Sequence, residues 1–204
     1  MTALNDDHSA VGADEALARL MEGNARFLRD HPRNTHRQEL ADLVEGQRPF
    51  ATILGCSDSR VPPELIFDAG FGNLFIIRVA GNIASRGVAG SLQYACTHLR
   101  TQLIMVLGHE GCGAVQAALA LKFLGAHKLP RIDWLLQHML PGLEGIDPQL
   151  PAPQQLSCGV EANVRWSMRQ ILETPEAGDA VSRARMKLVG AVCEIASGRV
   201  RLLA

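Results

Sequence analysis

The sequence predicts an α/β fold: a mostly parallel central sheet with an antiparallel edge strand, flanked by helices and preceded by an N-terminal helical arm. Three observations point there. Short apolar runs at 50–54, 74–79 and 103–107 lack the alternation of a half-solvated sheet, which marks strands buried on both faces. Helix-forming stretches lie between and after these runs, as strand–helix–strand units require. The chain closes on a strand–turn–strand pattern, 188–195 turning through 196–199 into 200–203, and a hairpin there makes one edge antiparallel.

The elements follow in order. Asp14 is placed to cap a helix over 14–29, where Leu17, Leu20, Met21, Phe27 and Leu28 recur at helical spacing. Residues 31–36 are polar and turn-like, and Leu40, Leu43 and Val44 predict a short second helix. Residues 1–45 thus read as a helical arm of a single domain, laid on a surface, and 46–204 as its α/β body. The first strand run ends at Gly55-Cys56, the second at Ala80-Gly81-Asn82 and the third at Gly108-His109. Helices are expected over 90–100, 114–124 and 159–172. The connection 130–153 carries five of the ten prolines and reads as mixed loop and helix.

Composition narrows the function. A chain of 204 residues fits one domain, and 47% hydrophobic residues suffice for a real core. Twenty Lys+Arg against 21 Asp+Glu leave a net charge of −1, which argues against a phosphate-backbone binder. Aromatics at 4% argue against a base-stacking platform, so no nucleic-acid partner is expected. The acidic start lacks the basic flank of a signal or transit peptide, and no apolar run approaches the about 20 residues of a membrane span. The reading is a cytoplasmic protein without a membrane partner. Its five cysteines, Cys56, Cys96, Cys112, Cys158 and Cys193, are an odd and scattered set that makes a poor disulfide framework.

Chemistry concentrates at strand ends, where ligands bind in open α/β sheets. One run leads into Cys56-Ser57-Asp58-Ser59-Arg60 and another into His109-Glu110-Gly111-Cys112-Gly113. If those strands are neighbours, Cys56, His109 and Cys112 reach one rim. Two thiolates and an imidazole suit Zn²⁺ and leave a fourth position for water. Asp58 and Arg60, two apart, can form an ion pair that keeps the carboxylate an acceptor beside that water. Alternatively, a freed Asp58 fills the fourth position and silences the site. Cys96, Cys158 and Cys193 read as packing. Other signatures fail: Gly70-x-Gly72 and Gly111-x-Gly113 lack the third glycine of a dinucleotide loop, and no phosphate-binding loop or nucleophile elbow is present. A thiol phosphatase would need arginine where Pro62 stands.

Taken together, Cys56-Ser57-Asp58-Ser59-Arg60-Val61, Arg78-x-Ala80-Gly81-Asn82 and His109-x-x-Cys112-Gly113 resemble the β-class carbonic anhydrase family. The resemblance is strong over 45–120 and weaker over 188–203. It implies one Zn²⁺ per chain on Cys56, His109 and Cys112, with an Asp58–Arg60 catalytic dyad. It implies a substrate pocket of Gln47, Phe75, Ala80, Tyr94 and Gly113, and a homodimer or higher homo-oligomer whose N-terminal helices embrace the neighbour. The implied activity is reversible hydration of CO₂ to bicarbonate and a proton, by a zinc-bound hydroxide that the dyad orients. Where one subgroup carries a tryptophan linked to closure by bicarbonate, this chain has Ile53, which leans against that control. COS or CS₂ hydrolysis on the same scaffold and a non-catalytic structural zinc domain are the alternatives.

Overall fold

The computed structural model describes residues 11–31, 43–174, 177–178, 181, 183 and 185–204. Helix α1 (Ala13–Leu28) opens with Asp14 and Glu15 in its first turn and carries Arg26 in its last, the charge order that the helix dipole favours. The second helix expected near Leu40 falls mostly outside the described residues. Strand β1 (Ala51–Gly55) leads to a one-turn helix α2 (Pro63–Ile66), and β2 (Leu74–Arg78) leads to a 3₁₀ turn, Ala80–Asn82. Helix α3 (Arg86–Thr97), β3 (Leu103–His109) and α4 (Gly113–Leu124) follow. Gly125, in the left-handed conformation at φ 61°, ends α4. The proline-rich connection holds α5 (Pro130–Gln137) and a 3₁₀ turn, Leu140–Leu143. Helix α6 (Ala152–Leu172), β4 (Lys187–Cys193) and β5 (Val200–Leu202) complete the chain.

The sheet order is β2-β1-β3-β4-β5. The first four strands are parallel, and β5 returns antiparallel to β4 with Cys193 opposite Val200. Successive residues face opposite layers. Leu54, Ile104, Val106 and Val192 pack against Val88, Leu92, Val115, Val160 and Val164 from α3, α4 and α6. Ile53, Leu103, Met105 and Ala191 pack on the other face against Ala16, Leu20, Ile66 and Phe67. Each such fully buried aliphatic side chain stabilises the fold by about 2 kcal/mol.

Helix α1 is therefore part of this chain's own core. Gly23 lets it close on the loop after α2, since a Cβ there would lie 1.9 Å from the Phe67 carbonyl oxygen. Next to it, the buried Asn24 donates to Ile66 O at 3.1 Å and Gly198 O at 2.8 Å, and accepts from Val200 N at 3.0 Å. Arg26 adds a 2.6 Å ion pair to buried Asp68. Among the described residues, no helix is long and apolar enough to cross a membrane.

Candidate metal centre

The strand order places a crevice between the carboxyl ends of β1 and β3, because the chain leaves β1 toward β2 on one side and later returns to β3 on the other. Cys56 follows the last residue of β1, and His109 is the last residue of β3. Gly111, at φ 62°, makes the left-handed turn that brings Cys112 to the N-cap of α4. The Cys56 and Cys112 sulfurs and a ring nitrogen of His109 lie within 4.8 Å of one another, all three residues buried.

The donor set fits zinc on the atoms themselves. His109 Nδ1 lies 2.9 Å from the Glu110 carbonyl oxygen, which can only accept, so the ring proton sits on Nδ1 and Nε2 keeps its lone pair. That Nε2 is buried with no hydrogen-bond partner, the state of a ligand atom aimed at a cation. Without metal, the Cys112 thiol donating to Cys56 draws the Cys56 thiol down to about 4 and holds Cys112 well above its ordinary value. The backbone N–H groups of Val115 and Ala114 at the start of α4 work the other way on Cys112, toward the thiolate that a metal needs.

Asp58 stands beside this triangle. Its Oδ2 is 3.9 Å from His109 Nε2. Arg60 grips the carboxylate with two side-chain bonds, Nε to Oδ1 at 2.9 Å and Nη2 to Oδ2 at 2.7 Å, and its backbone N–H reaches Oδ1 at 3.0 Å. The Arg60 guanidinium holds the Asp58 carboxyl well below the usual carboxylate range. The carboxylate is thus engaged by Arg60 at both of its oxygens.

Two contributors escape a reading of spacing alone. Arg78 donates from Nε to the Cys56 carbonyl at 3.0 Å and from Nη2 to the Asp58 carbonyl at 2.6 Å, so it shapes the whole 56–60 loop. Gly81 donates its backbone N–H to the Cys56 sulfur at 3.3 Å. The signal for both was the motif that carries them, which marks them without saying what they touch.

Most of the expected pocket residues are exposed in the single chain. Gly113 follows Cys112 directly, and Ala80 adjoins Gly81, both exposed. Phe75 and Tyr94 pair with ring centroids 6.1 Å apart, but Tyr94 is 46% exposed and stacks on His98 at 4.9 Å. Gln47 is also exposed. The 410 Å³ cavity between α3 and α6, bordered by Leu92, Cys96, Ile104 and Ile171, holds none of the predicted site residues. Of the remaining thiols, Cys193 is buried on the opposite face and pushed up to about 11 by that burial, and Cys96 is half-buried against the Met186 sulfur at 3.3 Å. Cys158 contradicts its expected packing role: it is exposed on α6, next to Gly159, which faces Val115 and Leu119 of α4.

Comparison with known proteins agrees with this geometry. A family model described as carbonic anhydrase matches residues 51–200. Carbonic anhydrase 2 of Mycobacterium tuberculosis is 50% identical over 103 residues, covering 50% of this chain and 50% of that protein. The chain thus spans about half the length of the mycobacterial relatives it matches. The carbonic anhydrase of a Synechocystis species is 32% identical over 193 residues, covering 90% of this chain and 70% of the relative. Among solved structures, the β-carbonic anhydrase CcaA superposes with a TM-score of 0.76 at 30% identity, over 92% of this chain and 95% of that one. With the Cys-His-Cys triangle at the same strand ends the sequence pointed to, the chain belongs to the β-class carbonic anhydrase family.

Proposed function

We propose that this protein catalyses the reversible hydration of CO₂ to bicarbonate and a proton, with one zinc ion held by Cys56, His109 and Cys112. The observation that carries the reading is the buried three-atom triangle with an arginine-held carboxylate oxygen 3.9 Å from its histidine nitrogen. When bound, zinc supplies a Lewis acid that lowers the pKa of water from about 16 to about 7. The protein supplies the rest. Asp58, ionised and gripped by Arg60, accepts the remaining O–H of the attacking oxygen and turns its lone pair toward the CO₂ carbon. Arg78 keeps Asp58 in place by holding the loop carbonyls. A C–O bond forms, one C=O π pair moves onto oxygen, and the proton of the original water passes to buffer.

The substrate wall belongs to the same proposal. Gln47, Phe75, Ala80, Tyr94 and Gly113 line it, and the exposure of Gln47 and Tyr94 in one chain supports a wall completed by a second copy. A homodimer or larger assembly is therefore part of the reading, as is a cytoplasmic address, where free thiols persist. Stopped-flow CO₂ hydration together with metal analysis tests it. Wild type should carry about one zinc per chain and hydrate CO₂, and Cys56→Ser or His109→Ala should lose both. Rapid COS or CS₂ hydrolysis with negligible CO₂ hydration would overturn the substrate, and full zinc in both variants would overturn the ligand set.

A further inference from the structure

The Cys56 sulfur accepts a backbone hydrogen bond from Gly81 at 3.3 Å, beside one from the Asp58 backbone, and that glycine is held by residues far away in sequence. Gly81 sits at φ 70° in the 3₁₀ turn after β2. A side chain there is strained by the left-handed φ, and its Cβ, 2.1 Å from Met139 Cε and 3.2 Å from Ala114 Cβ, would also force Met139 to shift. Glycine solves the crowding but brings the widest backbone freedom of any residue, so by itself it does not hold its N–H in one direction. The carbonyl side of Gly81 is held from α6. Asn163 Nδ2 donates to the Gly81 carbonyl at 2.8 Å, and Ser167 Oγ donates to the Asn82 carbonyl at 2.9 Å. Both side chains are 1% exposed, and the turn is also tied to β1 by Val79 N to Gly55 O at 3.1 Å.

We infer that Asn163, supported by Ser167, is a positioning residue for the metal centre: it fixes the 81–82 peptide, and through it the Gly81 N–H that bonds the Cys56 sulfur. This rests on Cys56 being a metal ligand. The chemistry follows from what an N–H does to a thiolate. The bond withdraws electron density from sulfur, moderates its donation to the metal and fixes the side chain that bears it. Asn163 costs the fold something to keep: it is buried, and its Oδ1 has no hydrogen-bond partner, as has Asn82 Nδ2. A residue kept for packing alone would be better served by leucine. Its usefulness lies in the one bond it does make, to the residue that faces the sulfur.

The test uses the full chain with Co²⁺ in place of zinc, reading the thiolate-to-cobalt absorption band and the rate at which a chelator removes the metal. Asn163→Leu keeps the shape and deletes the donor. It should move the band to lower energy, because the sulfur regains electron density, and should speed metal loss about tenfold, the scale of lost outer-shell partners. Ser167→Ala should move both readings the same way by less, and it decides alone if Asn163→Leu does not fold. A band and a removal rate equal to wild type in folded variants would overturn the inference, whatever their thermal stability. Cys56→Ser separates the two levels. Loss of band intensity there with no response in the α6 variants defeats the role of Asn163 only, whereas an unchanged Cys56→Ser spectrum defeats the ligand assignment itself.

Discussion

Replacing Arg60 by alanine should cost activity without costing metal. The structure sets the size of the loss. Asp58 has three anchors, and the substitution removes two, Nε to Oδ1 and Nη2 to Oδ2, while the backbone N–H at 3.0 Å from Oδ1 remains. The surviving bond holds the wrong oxygen. Oδ2, the one 3.9 Å from His109 Nε2, loses its Arg60 anchor and swings about the side-chain torsion. Misplacement of a catalytic group by about 1 Å costs about 100-fold, so CO₂ hydration should fall by about 10- to 100-fold in kcat/KM. Charge is not what is lost. Freed of Arg60, the carboxyl returns toward its ordinary pKa of about 4 and is still ionised near neutrality, so the pH profile above about 6 should keep its shape. Zinc stays, because no ligand is touched. Arg60→Lys, with one donor in place of a fork, should fall between. Stopped-flow hydration across pH with metal analysis of each variant decides the matter. Wild-type turnover in Arg60→Ala would refute the orienting role, and loss of zinc would show that Arg60 supports the triangle instead.

Other outcomes follow from particular contacts. Gly23→Ala gains about 1 kcal/mol of helix propensity but drives a Cβ to within 1.9 Å of the Phe67 carbonyl, so urea unfolding should show net destabilisation of about 1–3 kcal/mol, and a stabilised variant would contradict the packing. Arg201 and Arg165 hold Glu161 below the usual carboxylate range. That stabilisation is present above the unfolded carboxyl pKa of about 4.3 and fades as pH falls through the lower folded value, so the stability gap between wild type and Glu161→Gln should be constant near neutrality and close in acid, read by urea titrations at several pH values. In the native protein a thiol reagent should label Cys158 first and Cys193 last, as peptide mapping will show, because one is exposed and the other is buried and pushed up to about 11.

The parallel strands were legible because burial on both faces leaves an unbroken apolar run, and β1 to β3 begin and end close to where the runs do. The ligand triad was legible because strand ends are where such a sheet binds ligands. Helix α6 begins at Ala152, seven residues before the expected Gly159, since Pro151 and Pro153 read as loop although proline suits a helix's first turn. Within 130–153, read as mixed loop and helix, Pro130 obscured where α5 starts. Helix α2 and the Ala80–Asn82 turn are too short to show a period. The substrate wall was the least legible part: Gln47 and Tyr94 were named from resemblance, and a single chain leaves both exposed. Asn163 was invisible, because one polar residue on a helix shows nothing of the distant carbonyl it meets.

The proposed metal ligands are split between two stretches of chain that the β1–β3 pairing makes neighbours. An unfolded chain offers the local His109–Cys112 pair but never the full set. Zinc therefore discriminates between folded and unfolded forms, and whatever free energy it gains on binding is gained by the native state: about 2.7 kcal/mol when free zinc stands a hundredfold above its dissociation constant. The lifetime of the protein thus becomes a readout of zinc supply: a cell short of the metal would lose activity with the ion itself, and with it part of the margin that keeps the chain folded.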